Sequence, residues 1–205
     1  MVRKKQSQLP SQVLVFVEGD TDEVFFRNLI DYYASVSASP LLPYDICNLK
    51  GVTRYSSKLL AKLKNEYLPK ARSNGYRIKT VCCSYDTDVF EVRQPNIVNW
   101  NAIGKRVKRM GIEEFIRVGV KSSIEDWFLD DLQGICDFLH LKQVPSVLKG
   151  TNGYQKITDL YAKAHKTYKK GFETKGLIDV LSMKGIRNKR SDVLLPLEEA
   201  LGVIL

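Results

Sequence analysis

The sequence predicts an α/β fold: a mostly parallel four-stranded sheet flanked by helices, with an α-helical C-terminal extension. Three observations predict it. Short apolar runs of strand length alternate with stretches of helical periodicity, which implies crossover connections and parallel strands. The first run, "VLVFV" at 13–17, is apolar at every position, as a strand covered on both faces must be. From Ser122 onward every pattern is helical.

Each element has its own signal. After the first strand, Val24, Phe25, Leu29, Ile30 and Tyr33 recur near helical spacing until the breaker-rich "SVSASPLLP" at 35–43. "YDICNL" at 44–49 is the second strand, and the glycine turn "KGVTRY" leads into a helix marked by Leu59, Leu60, Leu63 and Tyr67. "YRIKTVCCSYD" at 76–86 is the third strand, Val107 and Met110 belong to a basic helix, and "EFIRVGV" at 114–120 is the fourth strand. Helices are then expected around Ile124 to Leu132, Tyr154 to Tyr168, Leu177 to Met183 and the final "LLPLEEALGVIL". The expected organisation is a basic tail over 1–11, a sheet domain over 12–140 and a basic helical lobe over 141–205.

Of the 205 residues 44% are apolar, enough for a sizeable core. No apolar run reaches membrane-span length and the basic start lacks the apolar stretch of a secretion signal, so a cytoplasmic protein with no membrane partner is expected. Cys47, Cys82, Cys83 and Cys136 show no CxxC spacing and read as buried thiols. The net charge of +9 is concentrated: from Lys142 to Arg190 there are twelve Lys and Arg against three acids, an excess equal to that of the whole chain. A basic lobe on a near-neutral remainder points to a polyanion, most simply nucleic acid. A solvated helical face is the plainer explanation of the same charge.

Against this background the acids are oddly placed. Glu18 ends the first strand, Asp86 and Asp88 end the third in "SYDTD", and Glu125 and Asp126 open the helix after the fourth in "KSSIEDWF". In a parallel sheet these points share one rim, where chemistry gathers. Simpler roles exist for most of them. Asp20 with Glu23 resembles a capping box, Asp22 and Asp126 favour a helix N-terminus, and Asp86 with Asp88 suits a turn. Glu18 has no such role, since a glutamate ending a buried strand needs a partner. Two like charges about 4 Å apart repel by about 4 kcal/mol at an effective dielectric near 20, so the cluster calls for a cation. Oxygen donors, two unpaired histidines and no cysteine cluster suit Mg²⁺ or Mn²⁺ rather than zinc.

The segments "EGDTDE" (Glu18, Gly19, Asp22, Glu23), "SYDTD" (Ser84, Asp86, Asp88) and "SIE" (Ser123, Glu125), in this order, resemble the Toprim superfamily over roughly 12–130. The details are most similar to nucleases of the OLD (overcoming lysogenisation defect) family and related antiphage-defence effectors. The resemblance implies a two-metal phosphodiesterase acting on DNA or RNA. Glu18 would bridge or flank the two ions, with Asp22 one helical turn further on. Asp86 and Asp88 would hold the first ion; Ser84 and Glu125, with Ser123 beside them in the SxE segment, would complete the second site. It also implies a lysine near the scissile phosphate, for which Lys156 is the first candidate and Lys149 and Lys184 weaker ones. No GxxxxGK[ST] segment is present, so an ABC-type ATPase partner would be a separate chain.

The basic residues then acquire an expected role. Lys163, Lys166, Lys169 and Lys170 are placed on one helix, tracking a phosphate backbone, while Tyr154, Tyr161 and Tyr168 at seven-residue spacing pack inward rather than stack on bases. Lys105 and Arg106 add charge on the sheet domain, and Gly51 either allows close approach of a phosphate or forms a turn into a helix. Two other functions compete with a defence nuclease: an RNA-processing Toprim endoribonuclease, and a non-catalytic Toprim-like subunit.

Overall fold

The structure, a computed structural model, describes residues 9–88, 90 and 97–205; most of the expected basic tail lies outside them. Four strands, β1 (Ser11–Val17), β2 (Tyr44–Asn48), β3 (Arg77–Asp86) and β4 (Glu114–Val120), form one sheet of order β2-β1-β3-β4, parallel throughout. Between them run α1 (Asp20–Val36); the helical segment α2 (Arg54–Ser57), α3 (Leu59–Lys62), a π turn (Leu63–Tyr67) and α4 (Leu68–Ser73); and α5 (Trp100–Arg109). After β4 come α6 (Ile124–Phe128), α7 (Leu132–Phe138), α8 (Gly153–Lys163), α9 (Lys175–Ile178), α10 (Met183–Lys189) and α11 (Ser191–Leu201). No helix among the described residues is long and apolar enough to cross a membrane.

The apolar run of β1 is explained by its two covered faces. Val13, Val15 and Val17 join a core with Phe25, Phe26, Leu29 and Ile30 of α1 and with Leu177, Ile186, Leu194 and Leu197 of the C-terminal helices. Leu14 and Phe16 face the other core, with Tyr55, Leu59, Leu63, Ile103 and Val107. The C-terminal helices therefore share the sheet's own core. Phe25 is the hinge of that packing, its ring 5.8 Å from Trp127 and 5.7 Å from Phe128. The four cysteines are free and buried.

Two local expectations are corrected. Asp20 does not cap α1: Gly19, with extended backbone, holds the capping position, and Asp20 instead engages Lys50 and accepts from Asn48 Nδ2 at 2.8 Å. Glu23 pairs with Arg27 at 2.8 Å, so no capping box forms there. A reciprocal cap forms at α6, where the Ser123 N–H donates to Asp126 Oδ2 at 3.2 Å and the Asp126 N–H to the Ser123 carbonyl at 2.9 Å. The helix expected to carry Lys163 through Lys170 stops at Lys163, because His165 takes φ 56° and turns the chain back. Lys166, Lys169 and Lys170 thus belong to a strap leading from α8 toward the sheet.

The C-terminal helices are tied together by ion pairs at their buried ends. Arg187 donates to Glu198 through Nε at 2.8 Å and Nη2 at 2.7 Å, and Glu198 is only 3% exposed. Arg187→Ala would leave that carboxylate buried without its partner, a loss of about 3–5 kcal/mol. At roughly 2–4 °C per kcal/mol for a chain of this size, calorimetry should read a large fall in Tm. The joint change R187M with E198L should recover most of it, because the unpaired charge goes too.

Candidate functional site

The strand order reverses between β1 and β3, since β1 leads to β2 on one side and β3 to β4 on the other. At such a switch point the loops part and leave a crevice at the carboxyl ends. Glu18 follows β1 and Asp86 ends β3, and the Asp86 N–H donates to Glu18 Oε2 at 3.4 Å although the two are 68 residues apart. They line a cavity of about 430 Å³ with Asp22, Lys50, Gly51 and Lys170. A neighbouring cavity of about 680 Å³ is lined by Asp86, Asp88, Ser122, Ser123, Tyr154 and Lys170, among others. Asp86 and Lys170 form the wall common to both.

Crowding acids into a half-dry crevice has electrostatic consequences. Burial pushes the Glu18 carboxyl above its ordinary range; the Asp86 amide pulls it back and Asp88 pushes it further up. Burial, then the charges of Glu18 and Glu125, raise Asp22 to about 7. Burial, then Asp22 and Glu18, raise Asp86 to about 9. Asp22 Oδ1 and Asp86 Oδ1 are buried without a hydrogen-bond partner, as is Ser84 Oγ. Buried polar oxygens left unpaired are uncommon and ask for a ligand.

Glu125, fully buried at the start of α6, is answered from the strap. Tyr168 Oη donates to Glu125 Oε1 at 3.1 Å and Lys170 Nζ to Glu125 Oε2 at 3.1 Å. Burial opposes the charge on Lys170, yet Glu125, Asp86 and Asp22 outweigh it and hold its pKa above the ordinary value. The next residue, Gly171, has φ 98° and donates its N–H to Thr21 Oγ1 at 2.8 Å, which fastens the strap to α1. From the other side α8 presses on α6. A Cβ on Gly153 would lie 2.4 Å from the Asp126 nitrogen and 2.7 Å from the Glu125 carbonyl carbon, so only glycine fits.

The expected site residues therefore fall into groups. Glu18, Asp22, Asp86, Asp88 and Ser123 line the two cavities, while Glu125 sits behind them and Ser84 is buried in β3. Lys156, on α8, lines neither cavity, whereas Lys170 lines both. Lys163 pairs with Asp159, and Lys166 lies over the Phe138 ring at 5.8 Å. Lys105 and Arg106 line separate clefts around α5. Gly51 does two things at once: it accepts from Arg54 N at 3.1 Å in the turn into α2 and walls the acidic cavity. Lys50 and Tyr168 were not singled out as site residues in the sequence. No sequence signal separates the cavity lysines: the Lys-Gly pair of Lys50-Gly51 and Lys170-Gly171 occurs also at Lys149-Gly150, Lys175-Gly176 and Lys184-Gly185.

Among the described residues, no three His, Cys, Asp or Glu side chains are gathered tightly enough to hold a metal ion as they stand. Glu18 is turned onto the Asp86 amide and Glu125 onto Lys170 and Tyr168. What fits a hard divalent cation is the donor chemistry: carboxylate oxygens on one crevice, two of them buried and unpartnered. Compared with known proteins, the chain matches no family model, no curated protein and no solved structure.

Two outcomes test this description. A carboxyl whose pKa is raised by folding stays protonated in the folded chain after the unfolded chain has ionised, so stability falls with rising pH across that interval. For Asp22 and Asp86 the interval opens near the ordinary value of 3.8 and closes near 7 and near 9 respectively. In EDTA, Asp22→Asn and Asp86→Asn should each raise Tm at about pH 8 and leave it unchanged near pH 4. A lower Tm at both pH values would show that these carboxylates are net stabilising partners instead. Gly153→Ala should destabilise by about 1–3 kcal/mol through backbone overlap with α6, read as a lower melting temperature.

Proposed function

We propose that this chain is a Mg²⁺- or Mn²⁺-dependent nuclease of Toprim type, resembling OLD-family enzymes, that hydrolyses phosphodiester bonds in nucleic acid. One observation carries the reading: Glu18, Asp22 and Asp86, from separate elements, meet at the switch point of a parallel sheet with buried carboxylate oxygens left unpartnered. The 2-1-3-4 parallel sheet is compatible with a Toprim-like fold. Glu18, Asp22, Asp86 and Asp88 are the residues that would hold the ions, with Glu125 joining once Lys170 is displaced. Bound there, two divalent ions supply Lewis-acid stabilisation of the phosphate and an activated water. The protein's part is placement. The sheet aligns Glu18 with Asp86, the two apolar cores limit water behind them, and Lys170 brings a positive charge to the wall that both cavities share. Lys170, rather than Lys156, is therefore the cation we assign to the phosphate. Basic residues of the C-terminal helices would supply further backbone contacts. Work in antiphage defence with a separate ATPase is part of the proposal, with DNA or RNA as substrate; an RNA-processing endoribonuclease is the alternative.

A second reading is favoured by a specific contact. Lys170 seated on Glu125 already supplies that carboxylate with a counter-ion, so the pair would need no metal in a non-catalytic subunit. Metal titration separates the two. Mg²⁺ or Mn²⁺ at about 100 times its Kd should stabilise the nuclease by about 2.7 kcal/mol through mass action, and should support cutting of plasmid DNA or tRNA that EDTA abolishes. Glu18→Gln and Asp86→Asn should keep the fold and reduce cutting to background. Inertness on both substrates, together with a Tm indifferent to either ion, would leave the non-catalytic reading.

A further inference from the structure

The chain has ten Tyr, eight Phe and two Trp, all among the described residues, and only Tyr154 and Phe172 are exposed, at 40% and 60%. Burial of aromatic rings is a main source of folding stability, so it matters where the two exceptions stand. Tyr154 is part of the crevice lining, beside Asp86 and Asp88 in the larger cavity, and Phe172 adjoins two residues that line the other, Gly171 in sequence and Lys50 in space.

Each ring also faces a lysine of the site. Lys170 Nζ lies 5.2 Å from the Tyr154 centroid, and Lys50 Nζ lies 5.6 Å from that of Phe172. Both lysines are paired with carboxylates, Lys170 with Glu125 and Lys50 with Asp20. Tyr154 is backed by Tyr168 at 5.8 Å, and Tyr168 is itself hydrogen-bonded to Glu125. The site thus carries two cation–ring pairs, Lys170–Tyr154 at the larger cavity and Lys50–Phe172 beside the smaller, with Asp86 lining both cavities. Alternating positive charge and aromatic face matches alternating phosphate and base along a nucleic-acid strand. In a duplex the base faces are covered by neighbouring bases and cannot reach such rings.

We infer that the site takes unpaired nucleotides, in a single strand, a frayed end or a flipped-out position, with one base stacked on Tyr154 and another on Phe172. This rests on the reading of the crevice as a nucleic-acid site, and it names the substrate class.

The test is fluorescence anisotropy with Ca²⁺ replacing Mg²⁺, using a short labelled single strand, its duplex, and a base-free sugar–phosphate strand of the same length. The single strand should bind about tenfold or more tighter than either of the others, as expected for stacked bases. Tyr154→Ala and Phe172→Ala should each weaken single-strand binding about fivefold or more, with duplex binding unchanged and a cooperative melting transition retained. Tyr154→Phe and Phe172→Trp should retain it. Equal affinity for natural and base-free strands, undiminished single-strand binding in the alanine variants, or no binding of any of the three would overturn the inference. Cutting of nucleic acid without base-dependent binding would defeat this inference alone. Base-dependent binding without cutting in Mg²⁺ or Mn²⁺ would leave it standing and defeat the nuclease reading.

Discussion

Carboxylates brought to the reversal point of a parallel sheet repel one another, and much of this molecule is organised around keeping them there. β1 is covered on both faces, so Glu18 leaves a strand that cannot shift without uncovering two cores. β3 is pinned on both edges, to β1 and to β4, which holds Asp86 in register with Val120. α1 is fixed by Phe25 and Phe26, and that fixes Asp22. At about 4 kcal/mol for one close like-charged pair, side chains free to move would separate. Here the backbone fixes only where the side chains start, and the repulsion is relieved by Glu18 turning onto the Asp86 amide, by the raised proton affinity of Asp22 and Asp86, and by Lys170.

Lys170 gives the C-terminal helices a reason to be where they are. Of the twelve basic residues between Lys142 and Arg190, it alone lines the acidic cavities. It arrives on a strap whose two ends are fastened, by Tyr168 to Glu125 and by the Gly171 amide to Thr21. The helices on either side of the strap pack into the core that β1 and α1 share. The basic segment is thus more than a charged surface: one of its lysines is built into the sheet's rim, and Arg187 and Arg190 are spent on ion pairs with Glu198 and Asp130.

Much of the fold was legible because buried parallel strands leave an unmistakable trace. "VLVFV" and "TVCCSY" are apolar or small at successive positions, whereas a strand with one wet face alternates. Glu18 was legible for a related reason, since no local capping or turn rule accounts for a glutamate at the end of such a strand. What could not be read was anything set by the path of the chain in space. Tyr161 and Tyr168 keep helical spacing, yet the helix has ended between them and the tight turn at His165 returns Tyr168 to the core by another route. The pattern therefore hid the strap and, with it, the role of Lys170. Gly19 and Asp20 are both acceptable N-caps for α1; Gly19 holds the position, while Asp20 is engaged by Lys50 and Asn48 across the crevice.

Under the proposed function Lys170 and a divalent ion would compete for Glu125, and that competition would give the strap its chemical meaning. Glu125 is already satisfied by Tyr168 and Lys170, so a divalent ion drawing on Glu125 must take over part of that role. Releasing Lys170 does not require the backbone to move, because Gly171 is held by Thr21 independently of the lysine side chain. A freed ammonium on a flexible stem is a strongly hydrated point charge that seeks an anion, and its anchor lies on the wall shared by both cavities. Under the proposed function, with ions in the crevice, that anion would be the phosphate of the substrate. On that reading a lysine that neutralises Glu125 before the ions arrive and the phosphate afterwards would keep the charge of the rim balanced in both states.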